Sequence, residues 1–145
     1  ALAGLLSGMV QSTSSCTSLH SIEHGLTATY PDLPHGAGLL MLSKPYFTFF
    51  SRYVPDRFIK MAHILGVSTD GLSDAEKPMA FVDAMMDLQQ KCGVADLKMS
   101  DYGVESDKME QIARNAHKTM SNLFAMDRYS LSLKETVDIL SAAYK

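Results

Sequence analysis

The sequence predicts an all-α fold, a helical bundle, and three observations carry that expectation. Apolar residues recur at three- and four-residue spacing through most of the chain. Runs that alternate apolar and polar with β-branched enrichment, the mark of strands, are missing. Capping sequences, glycines and prolines fall where such helices would begin and end. The 145 residues suffice for a single all-helical domain, 1–145, with a core of its own.

The first helix opens at once, on Ala1-Leu2-Ala3-Gly4-Leu5-Leu6-Ser7-Gly8, with small residues between leucines as a tightly packed helix has. A start inside a buried-looking helix, with no initiating Met and no polar lead-in, is expected of a piece excised from a longer protein. Ser12-Thr13-Ser14-Ser15 makes a polar break and supplies an N-cap, so a second helix is expected from about Cys16 to Thr29. Tyr30-Pro31-Asp32-Leu33-Pro34 ends it, because proline cannot donate to a continuing helix and restricts the residue before it. A third helix starts near Gly36 and carries Leu39, Leu40, Leu42 and the aromatic group Tyr46, Phe47, Phe49 and Phe50, with a kink expected at Pro45. That aromatic group reads first as core, and second as the lining of a substrate pocket.

Pro55 and Asp56 open a fourth helix that stops at Gly66. Ser73-Asp74-Ala75-Glu76 reads as a capping box opening a long helix to about Cys92, stopped by Gly93. Asp96–Gly103 reads as loop. Ser106 caps a helix with Met109, Ile112, Ala113 and Ala116 on one face. A second capping box, Ser132-Leu133-Lys134-Glu135, starts the last helix, with Leu133, Val137, Leu140 and Tyr144 pointing one way. Met99, Met109, Met120 and Met126 read as core filler, His63 and His117 as structural or solvent-facing, and Asp83 with Asp87 as a solvated face.

Bulk properties exclude several function classes. The formal net charge is −3 and the basic residues are scattered, so no nucleic-acid footprint is present. The longest apolar stretches, 1–10 and 36–42, fall short of the ~20 residues a membrane span needs. No Lys or Arg precedes the apolar start and the first charge is Glu23, which disfavours a signal peptide. Cys16 and Cys92 fit reduced, buried thiols in a cytoplasmic protein.

The chemistry concentrates in three histidines within sixteen residues, His20, His24 and His35. His20 and His24 are four apart and share a helix face. His35 follows a proline-stiffened turn that can fold back toward that face, and the start of the next helix would point partial positive charge at the site. Imidazole suits Fe2+ and Zn2+ about equally. A functional cluster and a set of structural histidines both remain open on the residues alone. Cys16, His20 and His24 also form an i, i+4, i+8 series, although Cys16 reads more simply as a buried inert thiol.

His20-x-x-x-His24 followed by Pro34-His35-Gly36 resembles the hallmark stretch of the iron-containing (group III) alcohol dehydrogenases. The likeness is strongest from Ser18 to Leu40 and returns at Gly66, at Cys92-Gly93-Val94 and over Leu131–Tyr144. The resemblance implies the C-terminal helical domain of a dehydroquinate synthase-like fold, with its N-terminal nucleotide-binding domain absent. It implies that His20 and His35 are metal ligands, and that His24 lies by the substrate and nicotinamide as the catalytic and cofactor-side residue. Fe2+ (or Zn2+) and NAD or NADP are the implied cofactors, and a small alcohol or aldehyde the implied substrate. The metal would serve as a Lewis acid and the nicotinamide as hydride carrier. The whole enzyme is expected to be a homo-oligomer and this part alone to be inactive.

Two departures from the family pattern stand out. The fifteen-residue step from His20 to His35 is about one longer than in the best-known relatives. The Asp-x-x-x-His pair that completes the family's metal site occurs nowhere here, and neither does a glycine-rich dinucleotide loop. Two rivals differ in class. His20-Ser21-Ile22-Glu23-His24 fits the H-x-x-E-H signature of zinc metalloproteases, with Glu23 as base and Glu105 or Glu110 as a distant third ligand. A non-catalytic helical interaction module with Met-rich faces is the other. The dehydrogenase reading requires His35 beside His20; the protease reading requires a distant Glu there.

Overall fold

In a computed structural model, residues 2–145 are described, and all regular elements among them are helical, in line with the all-α expectation. The helices are α1 (Leu2–Thr13), α2 (Ser18–Thr29), α3 (His35–Ser51), α4 (Pro55–Ile64), α5 (Met79–Lys91), α6 (Met109–Thr119), α7 (Ser121–Phe124) and α8 (Leu133–Ala143). Short 3-10 turns at Met99–Tyr102 and Ser106–Lys108 precede α6. The first of them lies within the expected loop and inserts a fully buried Met99 into the core.

Helix α2 is the centre of the bundle, packed on α3, α6 and α7, while α3 also meets α8, α5 and α4. Ile22, Leu26, Leu42, Ile112 and Leu140 are wholly shielded from solvent and join these helices in one core. Gly25 lets α2 approach α6 closely, since a Cβ there would lie 3.0 Å from the Ile112 carbonyl oxygen. The expected α6 face is met in full: Met109, Ile112, Ala113 and Ala116 are all buried. Tyr46 and Phe50 are core, as the aromatic group suggested, and Phe47 and Phe49 pack against them. Met99 and Met109 fill the core, but Met120 is only partly covered and Met126 is exposed. His63 bonds Thr69 at 2.9 Å, and Asp83 and Asp87 are exposed, both as read from sequence.

Several local expectations are corrected. Helix α1 continues through Ser12 and Thr13, whose hydroxyls donate back to the Met9 and Val10 carbonyls instead of breaking the helix. No residue of α1 is buried, although its composition suggested tight packing. Helix α3 starts at His35, next to the expected Gly36, and runs on past Pro45 to Ser51. The Ser73 box is only half formed: Glu76 accepts from the Ser73 N–H at 2.9 Å, yet the helix proper waits until Met79, after Pro78. Ser106 makes no side-chain cap, because a 3-10 turn intervenes before α6. The Ser132 box is complete, but α8 buries Thr136, Ile139, Leu140 and Ala143, a stripe rotated from the expected one. Leu133, Val137 and Tyr144 pack only at its edge. Both cysteines are free; Cys92 is exposed and Cys16 half-buried, so neither is the buried thiol expected.

That rotated stripe follows from Thr136. Its hydroxyl donates to the Ser132 carbonyl at 3.0 Å, so the 2.9 Å contact with His117 Nε2 has the imidazole donating. His117 also stacks on Phe124, with ring centroids 3.9 Å apart. A half-buried acid secures the start of α2. Asp127 Oδ1 accepts from the Ser18 N–H at 3.3 Å and from the Tyr46 hydroxyl at 3.0 Å, while Ser18 Oγ and Tyr46 Oη lie 3.1 Å apart. Asp127 thus caps α2 from the far end of the chain. Burial pushes its carboxyl up, and the Ser18 and Tyr46 bonds pull it back.

Three outcomes follow from these contacts. Tyr46→Phe removes a donor from a carboxylate whose Oδ2 already has no partner, and should cost about 1–3 kcal/mol in urea unfolding. Burial holds the His117 imidazole below its ordinary range, so on acidification the unfolded chain takes up that proton first. Stability should therefore fall as pH drops through the ordinary imidazole range near 6.5, and His117→Gln should flatten the slope of midpoint against pH. Leu2, Leu5, Leu6, Met9 and Val10 line α1 at 53–69% exposure. Sedimentation velocity should show concentration-dependent self-association that a Leu6→Lys, Met9→Lys double variant suppresses.

Candidate metal centre

The site is built where α2 runs out and α3 begins. Tyr30 closes α2 with its N–H on the Leu26 carbonyl at 2.8 Å, and Leu33, 2% exposed, pins the following turn into the core. Pro34 is the N-cap of α3, extended at φ −63° and ψ 133°, and its carbonyl receives the Ala37 and Gly38 N–H groups at 2.9 and 3.1 Å. The Tyr30 hydroxyl accepts from the Glu105 N–H at 3.2 Å and ties this turn to the loop before α6. The chain therefore reverses tightly, and His35, the first residue of α3, is brought back over α2.

All three histidines meet there. The His20 and His35 rings are 5.6 Å apart between centroids, and His24 meets His35 edge to face at 5.3 Å. His20 is partly buried, while His24 and His35 are exposed on one side. His20 is held below the ordinary imidazole range, by burial first and then by repulsion from His35 and His24. Low basicity favours the neutral ring, the form that offers a lone pair to a metal.

Glu23 joins them, and sequence reasoning had it only as the base of the protease alternative. Its side chain is wholly buried, and Oε2 contacts His35 Nδ1. Ligand atoms of Glu23, His24 and His35 all lie within 4.8 Å of one another, and among the described residues no other such group includes a cysteine, Glu105 or Glu110. Burial pushes the Glu23 carboxyl up, against the pull of His35 and His24. His20 lies outside that group, although its ring neighbours His35; the imidazole nitrogens gathered at this turn suit Fe2+ or Zn2+.

The discriminating point between the two enzymatic readings is therefore answered by position. His35 stands beside His20, and Glu110 is exposed and engaged by Arg114 at 2.6 Å. The sheets that would accompany the protease signature are absent among the described residues. Among the described residues, no helix is long and apolar enough to cross a membrane.

Comparison with known proteins identifies the family and the fold. Residues 1–144 match the sequence profile of the Fe-containing alcohol dehydrogenase family, C-terminal. The chain is 28% identical over 144 residues to 1,3-propanediol dehydrogenase of Citrobacter freundii, covering 99% of this chain and 36% of that enzyme. It is 26% identical over 116 residues to lactaldehyde reductase of Escherichia coli, covering 80% and 30% respectively. The solved alcohol dehydrogenase from Oenococcus oeni superposes with a TM-score of 0.83 at 29% identity, over 96% of this chain and 35% of that one. The chain thus spans about a third of the length of the relatives it matches, and the matched region is their C-terminal part. With a profile match over nearly every residue and the same helical fold, this chain belongs to the Fe-containing alcohol dehydrogenase family.

Proposed function

We propose that this chain is the metal-holding helical part of an NAD(P)-linked alcohol dehydrogenase or aldehyde reductase that acts on a small alcohol or aldehyde. The convergence of His20, His24 and His35 at the α2–α3 turn carries this reading, together with family membership. Residues 1–145 form the C-terminal domain of a two-domain enzyme in this reading, and a nucleotide-binding domain supplies the dinucleotide cradle. Alone, the chain is catalytically silent.

His20 and His35 are assigned as ligands of iron, with zinc as the other fitting ion. Two imidazoles hold an ion weakly, so the remaining ligands come from outside this chain. When bound, the ion supplies Lewis acidity toward the substrate oxygen, and the nicotinamide supplies the hydride. His24 lies one helical turn along α2 and is exposed on the same side as His35, so it faces the space a substrate would enter. It is assigned to relay the alcohol proton to solvent. The helix dipole at the start of α3 adds partial positive charge where negative charge grows on the substrate oxygen.

The test is a chimera in which this chain replaces the matching C-terminal part of the Citrobacter freundii 1,3-propanediol dehydrogenase. The chimera should bind about one iron per chain and reduce small aldehydes with NADH or NADPH. His20→Ala and His35→Ala should each lose iron and activity together. His24→Ala should keep iron and lower kcat by about 10²–10⁴-fold with an altered pH profile. Full iron retention in both ligand variants would refute the assignment.

A further inference from the structure

Glu23 is the residue at this site that the proposed chemistry leaves unused. Its side chain has 0% exposure, Oε2 reaches His35 Nδ1, and Oε1 has no hydrogen-bond partner among the described residues. A leucine would fill the same volume without the penalty of taking a carboxylate out of water. What the carboxylate adds is an acceptor aimed at one nitrogen of one histidine.

The opposing wall explains why it fits. A Cβ on Gly38 would lie 2.8 Å from Glu23 Oε1, 2.9 Å from Cγ and 3.3 Å from Cδ. Gly38 is three residues after His35, so both lie on the face of α3 that meets α2. Glu23 therefore occupies a space that exists only because position 38 has no side chain. From that space its second oxygen addresses the imidazole one turn back.

We infer that Glu23 is a positioning residue that fixes the tautomer and ring orientation of His35, and that Gly38 is the notch that admits it. This rests on the assignment of His35 as a metal ligand. A carboxylate only accepts, so Nδ1 must carry the proton and the lone pair is left on Nε2. That is the tautomer opposite to the one a free neutral histidine side chain favours in water. A carboxylate behind a ligating histidine also raises the basicity of the ligating nitrogen. Glu23 never touches substrate, and it acts only through His35.

Two measurements test this, and they fail separately. In the 15N-labelled 145-residue chain, without metal and at pH 8, long-range 1H–15N spectra should show His35 protonated at Nδ1. In Glu23→Leu and in Gly38→Ala, with folding verified by circular dichroism, His35 should drift toward the Nε2–H form. A wild-type His35 protonated at Nε2 overturns the inference and needs no variant. So does a tautomer unchanged in either folded variant. In the chimeric holoenzyme, both variants should weaken iron retention against a chelator by about 10–100-fold. Retention equal to wild type, with the tautomer lost, would show that Glu23 does not serve the metal. Iron that is indifferent to His35→Ala would instead refute the ligand assignment and leave the tautomer result standing.

Discussion

The structure around the site depends on the contact between a fully buried carboxylate on α2 and the first residue of α3. Glu23 and His35 are twelve residues apart, and the turn between them is stiffened by Pro31 and Pro34 and anchored by Leu33. Those prolines limit the backbone to few conformations, so little entropy opposes the closure. Once closed, the carboxylate takes its donor from α3, and the direction in which α3 leaves the turn becomes a matter of chemistry as well as packing. The three imidazoles inherit their spacing from that closure.

A second acid, half-buried, does for the start of α2 what Glu23 does for its middle. Asp127 accepts from the Ser18 backbone and the Tyr46 hydroxyl, and so joins the start of α2, the middle of α3 and the segment before α8. Each acid has one oxygen with no partner. Such groups are costly wherever they occur, and both secure the helix that carries His20 and His24: Glu23 lies on it, and Asp127 binds its first residue. Core packing by Ile22 and Leu26 secures the position of α2. The polar contacts select its register and the neighbours that converge on it.

Much of this was legible in the residues themselves. The α6 face and the Ser132 box follow rules set within a few residues, and both emerged as read. The convergence of His20 and His35 was also legible, because a Pro-His-Gly turn after an i, i+4 histidine pair has few ways to fold. Features that depend on distant partners were not. The α8 stripe turned because Thr136 found His117, nineteen residues away. Thr17 caps α2 without a side-chain bond, because Asp127, 109 residues downstream of Ser18, fills that role. Glu23 read only as a catalytic base in the protease alternative; Gly38, on another helix, reveals the recess that holds it. The weak signal was an acid beside Ile22 and three residues before Leu26, on the inward side of an amphipathic helix.

Helix α1 makes a different kind of statement. It is twelve residues long, buries none of them and carries two glycines, so neither propensity nor tertiary contact sustains it within this chain. A helix of that length is marginal in water, where nucleation is costly and each turn must hold itself. Its amide protons would exchange with solvent far faster than those of α2, only four residues on. The boundary between cooperative core and conditional structure therefore falls at the serine-rich stretch 12–15, immediately before the helix that bears the histidines. That helix begins with its own anchor at Asp127, so fraying upstream stops short of His20 and His24.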